Sequence, residues 1–347
     1  MKAVFSSLRT VRIFLILLLQ IVFIGCVYIP LSYYWPIMKQ KELFFLANER
    51  TNEIIFFIEK QRRYVVELAR SEYMQQLIAF AGGQSEITAL QVKKMQSFVR
   101  GYQESFGYKQ IFLIDQTGKF IFSTLEGLVG RNITEEYRDS SITKSFELIR
   151  MTFTSEISQL MYDPLVKQEA LFMTMPVFFE EKLIGFLVAQ LDSEQIQDVI
   201  NKFTGLGEKG EFLIAERLGD KLSFVLPPRI SPELMFARKE ISNDLELPIE
   251  KAASGFEGFG ISRDYRGIIT ASAWYFIPQV NWGLVAKIDL DSVMFYIYLL
   301  RYLIYLLMLC ALVLAGFLLS QFLYGKSAVV SKKSLEDKPK NKRVKKG

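Results

Sequence analysis

Two runs without a charged residue frame this chain and limit what it folds into. Residues 13–35, IFLILLLQIVFIGCVYIPLSYYW, and residues 302–323, YLIYLLMLCALVLAGFLLSQFL, are each long enough as helix, at about 1.5 Å per residue, to cover the roughly 30 Å hydrocarbon thickness of a bilayer. Helices are the only open structure that satisfies its own backbone there. Tyr33, Tyr34 and Trp35 close the first run, and Tyr296, Tyr298 and Tyr302 open the second, which predicts aromatic rings at one common interface.

Charge gives the expected orientation. Lys2, Arg9 and Arg12 precede the first run, and the tail KSAVVSKKSLEDKPKNKRVKKG sets a cluster of Lys and Arg against only Glu336 and Asp337. With Arg301 free to snorkel from a helix end, residues 36–294 hold more acids than bases. Both termini are therefore expected in the cytoplasm of a bacterium, with the middle outside the inner membrane. A secretory leader is the rival reading, because FIGC around Cys26 faintly resembles a lipoprotein cleavage box. The apolar run continues to Trp35, longer than a leader needs, so a retained anchor is expected. Cys26 and Cys310 both lie inside the spans, leaving the outer region free of thiols, as suits a bacterial exterior.

Residue types narrow the chemistry. The chain has no histidine, which removes Ser–His and Cys–His pairs and the usual zinc sites. Asp115, Asp163 and Asp192 stand at no recognisable paired spacing, and no Gly-x-Ser-x-Gly elbow occurs. GLGEKG lacks the Gly-Lys-Ser/Thr ending of a phosphate loop and reads as a linker, and NIT at Asn132 as a chance sequon. No catalytic residue, metal or cofactor is expected, and the chain is not expected to be an enzyme.

Between the spans, residues 37–80 keep apolar residues at helical spacing through Phe44, Ala47, Ile54, Ile55, Ile58, Val65, Leu68 and Leu77, which predicts one long amphipathic helix ended by Gly82 and Gly83. The stripe of Phe44, Ile54, Ile58 and Val65 either packs in the chain's own core or pairs with a second copy, so a homodimer stays open. A helix is expected over 87–104, then a strand, a turn at Gln116 to Gly118 and a strand. Helix-like residues 134–149 precede strand candidates 151–160, 169–178 and 183–191, and Asp192 or Ser193 caps a further helix. The pattern repeats after residue 206: strand, turn, strand, a less regular region to about 256, then three strands with turns at 264–267 and 278–281.

The segments IFLIDQTGKFIFST, LVGRNI, PVFFEEKLIGFLVAQLDSEQIQDVI, GLGEKGEFLIAER and RDYRGIITASAWYFIPQVNWGLVAKID, in that order between two spans, resemble the double Cache sensor domains of bacterial membrane receptors, which are tandem PAS-like folds. The resemblance implies an α+β fold: a long N-terminal helix plus two stacked antiparallel-sheet modules, flanked by transmembrane helices. The expected parts are a cytoplasmic N-terminus (1–12), a first span (13–35), a stalk helix with the membrane-distal module (36–206), a membrane-proximal module (207–294), a second span (295–323) and a basic, disordered cytoplasmic tail (324–347).

In that family a small solute of the amino acid, amine or carboxylate class binds the distal module, and the proximal module relays to the second span. The amino-acid-sensing members carry an Arg-x-Trp element and an Asp after a Tyr near the following turn. This chain offers Arg150, Tyr162 and Asp163 but no Trp. Arg150 would hold a carboxylate and Asp163 an ammonium; equally, Arg150 is a solvated helix-end residue and Tyr162-Asp163-Pro164 a plain turn. The short tail after Leu323 has no room for a kinase, cyclase or phosphatase, so a separate signalling protein of that class is the expected reader. Lys342, Arg343, Lys345 and Lys346 suit anionic lipid, at about 1 kcal/mol per charge, better than nucleic acid. Asp289 or Asp291 is expected to cap a helix that runs on through Tyr296 into the second span, joining sheet to span without a Gly or Pro hinge. An accessory subunit that keeps the fold only to dock a partner is the competing reading, and a truncated gene product the third.

Overall fold

A computed structural model describes residues 15, 18–81, 88–138, 140–159, 161–165, 167–201, 206–234, 238–242 and 245–336. Contacts divide the chain into a unit of residues 1–39 with 290–347 and a unit of residues 40–289. The basic residues of both termini, apart from those before residue 337, and the glycines at 82 and 83 fall outside the described residues.

The first unit contains two helices long and apolar enough to cross a membrane. One continues into α1 (Ile29–Arg70) after a π-helical turn at Ile24–Tyr28; the other is α8 (Leu290–Glu336), which extends beyond the Leu323 where the expected span ends. Leu19, Ile21, Phe295, Leu306, Val313 and Phe317 all present more than half their surface. Apolar side chains left bare along a whole helix belong in lipid or against another chain. The indole of Trp35 donates to the Val293 carbonyl at 2.8 Å and the Gln20 amide to that of Leu307 at 3.4 Å. One contact rises along the sequence as the other falls, so the helices run antiparallel and their aromatic ends lie together.

In the second unit, α1 is followed by α2 (Glu72–Ala81) and α3 (Ala89–Phe106). The single helix expected over 37–80 is divided at Ser71, whose hydroxyl takes the Leu68 carbonyl at 2.7 Å. A side chain competing for backbone in this way marks a break that no Gly or Pro announces. The structure starts α3 at a capping box, with Thr88 Oγ1 receiving Gln91 N and the Gln91 side chain receiving Thr88 N.

The N-terminal module has β1 (Gln110–Asp115), β2 (Phe120–Ser123), α4 (Ile133–Glu136), α5 (Ser141–Thr152), β3 (Glu156–Ile157), β4 (Met161–Asp163), β5 (Gln168–Phe179), β6 (Lys182–Leu191) and α6 (Ser193–Asn201). Its antiparallel sheet is ordered β2-β1-β6-β5-β3, with β4 also on β5. Alternation sends Ile111, Leu113, Leu187 and Ala189 to one face, where α2 and α3 pack, and Phe112, Ile114, Phe186 and Val188 to the other, where α4 and α5 complete a core. At the β1–β2 turn Gly118 has φ +89°, and a Cβ there would lie 3.1 Å from Asn132 Oδ1 and Ile133, so glycine is required on two counts. The strand expected over 151–160 is only β3: the Ser140 cap starts α5, the helix holds through Thr152, and Phe153 ends it in the left-handed region at φ 55°.

The C-terminal module has β7 (Gly210–Leu218), β8 (Lys221–Phe224), β9 (Arg238–Glu240), α7 (Pro248–Ala253), β10 (Gly258–Arg263), β11 (Ile269–Ile277) and β12 (Trp282–Asp289). Its order is β10-β11-β12-β7-β8-β9. Counted from β8, the run β8-β7-β12-β11-β10 repeats the plan β2-β1-β6-β5-β3. Helix α7 lies in the stretch expected to be irregular, with Pro248 at its first position and Glu250 closing its cap. It packs so closely on β12 that a Cβ on Gly283 would come 2.2 Å from Ala253 N. Helix α1 serves both modules: Phe44 meets Tyr275 at 4.6 Å between centroids, while buried Arg50 lies over the Phe212 ring and donates to the Val199 carbonyl at 2.9 Å.

Candidate functional site

On the α5 face of the N-terminal sheet, polar side chains interrupt an otherwise apolar core. Gln110, the first residue of β1, faces Gln190 of β6 across the ladder. Its Nε2 donates to Gln190 Oε1 at 2.6 Å and to Asp163 Oδ2 at 3.2 Å. Asp163 ends β4 and is fully buried; its Oδ1 accepts Leu165 N at 2.8 Å, turning the chain back into β5, and its Oδ2 also accepts the Tyr137 hydroxyl at 3.3 Å. The Tyr137 backbone is held by Thr143 Oγ1, 2.7 Å from its carbonyl, and its ring packs 5.7 Å from Phe172. Burial first, then the Asp163 charge and hydrogen bond, push the Tyr137 phenol far up, so it remains a neutral donor.

Three polar atoms here are fully enclosed yet have no hydrogen-bond partner: Gln110 Oε1, an acceptor, and Gln190 Nε2 and Thr174 Oγ1, both donors. Thr174 lies two residues beyond Phe172 on β5 and so shares its face. Orphaned buried polar groups each cost about 1–3 kcal/mol, and those of Gln110 and Gln190 lie beside the Asp163 carboxylate.

Of the residues the sequence singles out, the structure brings only Asp163 into this cluster. Tyr162, one step earlier on β4, points the other way and is 56% exposed. Arg150 stands exposed in the last turn of α5, its guanidinium 5.6 Å from the Phe146 ring. Gln110, Gln190, Thr174 and Tyr137 went unmarked. A glutamine at a strand end reads as solvent-facing, and only the β1–β6 register turns both inward.

No known family profile matches the chain, and no curated protein does. Solved structures do. The sensor domain of the Vibrio cholerae histidine kinase DctB superposes with a TM-score of 0.52 over 73% of this chain and 97% of its own, at 11% identity. The sensory domain of the Campylobacter jejuni chemoreceptor Tlp3 gives 0.53 over 76% and 98%, at 12% identity. The ligand-binding domain of the Pseudomonas aeruginosa PAO1 amino acid chemoreceptor PctB, in complex with L-Gln, gives 0.50 over 73% and 91%, at 12% identity. The fold is that of the double Cache sensor domains: a long helix and two PAS-like modules, here flanked by two apolar helices that meet the requirements of membrane spans.

Proposed function

We propose that this protein is a bacterial inner-membrane sensor whose N-terminal module binds a small extracytoplasmic solute carrying an ammonium and a carboxylate. The observation that carries this reading is the enclosed set of orphan groups beside Asp163. Asp163 and Gln110 Oε1 suit an ammonium; Gln190 Nε2 and Thr174 Oγ1 suit a carboxylate. The amino acid complexes among the solved neighbours support the ligand class. In this reading both termini are cytoplasmic, residues 36–206 and 207–294 are the distal and proximal modules, and the signal leaves through α8 to a separate signalling protein. The basic tail holds anionic lipid. A second copy docks along the outer face of α1, where Phe45 and Phe56 are exposed and a groove of about 630 Å³ opens between Asn52, Phe56, Phe57 and Lys60.

Calorimetric titration of the full chain in detergent with single amino acids and small amines tests the ligand. A saturable heat that Asp163→Asn abolishes is expected; no heat with any compound rejects the reading. One observation favours the accessory-subunit reading: Phe112, Phe146, Phe172 and Phe186 are fully buried and fill the same sheet face. That reading gains if no compound binds and a stable membrane partner co-purifies.

A further inference from the structure

At the register positions where the N-terminal module buries a pair of glutamines, the C-terminal module buries a pair of opposite charges. Where Gln110 faces Gln190 across the first two central strands of the N-terminal sheet, Glu211 faces Lys287 across β7 and β12. Asp163 leads the chain into β5 and Asp264 leads it into β11, each with its Oδ1 accepting the backbone N–H two residues on, from Leu165 and Arg266, both at 2.8 Å; the Asp264 carbonyl also accepts Gly267 N at 2.9 Å. The phenols differ in place: Tyr137, after α4, meets Asp163, whereas Tyr265, within the β10–β11 turn, meets Glu211 at 2.8 Å. In the middle lies Lys287 Nζ, 2.7 Å from Glu211 Oε1, 2.5 Å from Asp264 Oδ2 and 4.6 Å from the Tyr265 ring centroid, on a residue 1% exposed. Two carboxylates and an aromatic face around one ammonium are the arrangement by which a free primary amine is recognised.

We propose that the C-terminal module retains a primary-ammonium site and that the chain fills it with its own Lys287, a ligand tethered through four methylenes. The module is thus permanently occupied. The tether fastens β12 to the β10–β11 turn, and Arg266 extends the hold to Asp289, the last residue before α8, at 2.5 Å. This inference rests on register and contacts in the C-terminal module and stands whether or not the N-terminal module binds a solute.

Lys287→Ala removes three methylenes and an ammonium, the atoms of propylammonium. In the full chain in detergent this variant is expected to melt roughly 10 °C below the parent, since Glu211 is left buried without the Lys287 counter-charge. Propylammonium at tens of millimolar should restore several degrees, while propanol, or sodium chloride at equal ionic strength, should not; the parent should respond to none of them. Restoration by propanol, or none by propylammonium, overturns the proposal. Should Lys287→Ala not accumulate in folded form, Lys287→Ala with Glu211→Gln keeps one carboxylate and a balanced interior. There propylammonium should still raise the midpoint, with about tenfold weaker apparent affinity, and failure to do so equally overturns the proposal.

Discussion

The two sheets of the outer unit share a five-strand plan yet close their central buried polar clusters in different ways. The C-terminal module closes its polar face with opposed charges, Lys287 against Glu211 and Asp264, and Arg266 against Asp264 and Asp289. The N-terminal module closes its own with amides and a phenol around Asp163, and leaves acceptor and donor atoms over. A polar cluster whose members satisfy one another fixes structure, whereas one with residual demand retains free energy for a visitor. The two modules therefore differ in how much hydrogen-bonding demand their buried polar clusters leave over.

The largest effect should come from unbalancing the C-terminal cluster. Asp264→Leu takes away one of the two carboxylates that hold the Lys287 ammonium and one of the two that hold the Arg266 guanidinium, and should cost about 3–5 kcal/mol in denaturant unfolding; a cost below 1 kcal/mol would erase the contrast. Gly283→Ala comes next, because the new methyl has nowhere to go between β12 and α7, at about 2–3 kcal/mol. In the N-terminal module, Asp163→Asn keeps the shape and should change stability by about 1 kcal/mol while eliminating ligand heat; a larger stability loss would mean that Asp163 is structural. The smallest effect is a gain: the β5–β6 turn has Glu180 and Glu181 at φ 46° and 65°, and Glu180→Asn with Glu181→Gly should add roughly 0.5–1 kcal/mol without touching either cluster.

Acid sharpens the same contrast. Burial alone would raise the Asp264 carboxyl, but the hydrogen bond and charge of Lys287, with Arg266, outweigh it and hold the carboxyl below its usual range. A depressed carboxylate stabilises the fold at every pH above the ordinary value of about 4 and loses that contribution as pH falls through its folded value. Amide exchange in the C-terminal module should thus stay protected from neutral pH to about 4 and accelerate below it, and Asp264→Asn should flatten the profile.

Much of this was legible in residue order. Uncharged runs announce spans because hydrocarbon tolerates little else, and the turns at Gly118 and at 278–281 announce hairpins because few residues adopt those conformations. The interruption at Ser71 was hidden, since a serine hydroxyl in mid-helix is ordinarily silent. Helix α7 carried a readable signal in Pro248 and Glu250 that the short apolar stretch around it masked. The clusters were half legible: the Tyr162-Asp163 turn drew attention to a carboxylate that the structure buries, but the burial of Gln110, Gln190 and Lys287 depends on strands far apart in sequence falling into register, which no local pattern encodes.

The placement of the three indoles has a practical consequence. Trp35 bonds the Val293 carbonyl beside the span, Trp274 lies under the Lys251 ammonium at 5.0 Å on the α7 side, and Trp282 is enclosed in β12, so the N-terminal module has no tryptophan. Emission at tryptophan wavelengths is blind to solute arrival itself. Any change in it on adding solute would be light emitted only after the message had left the place of capture.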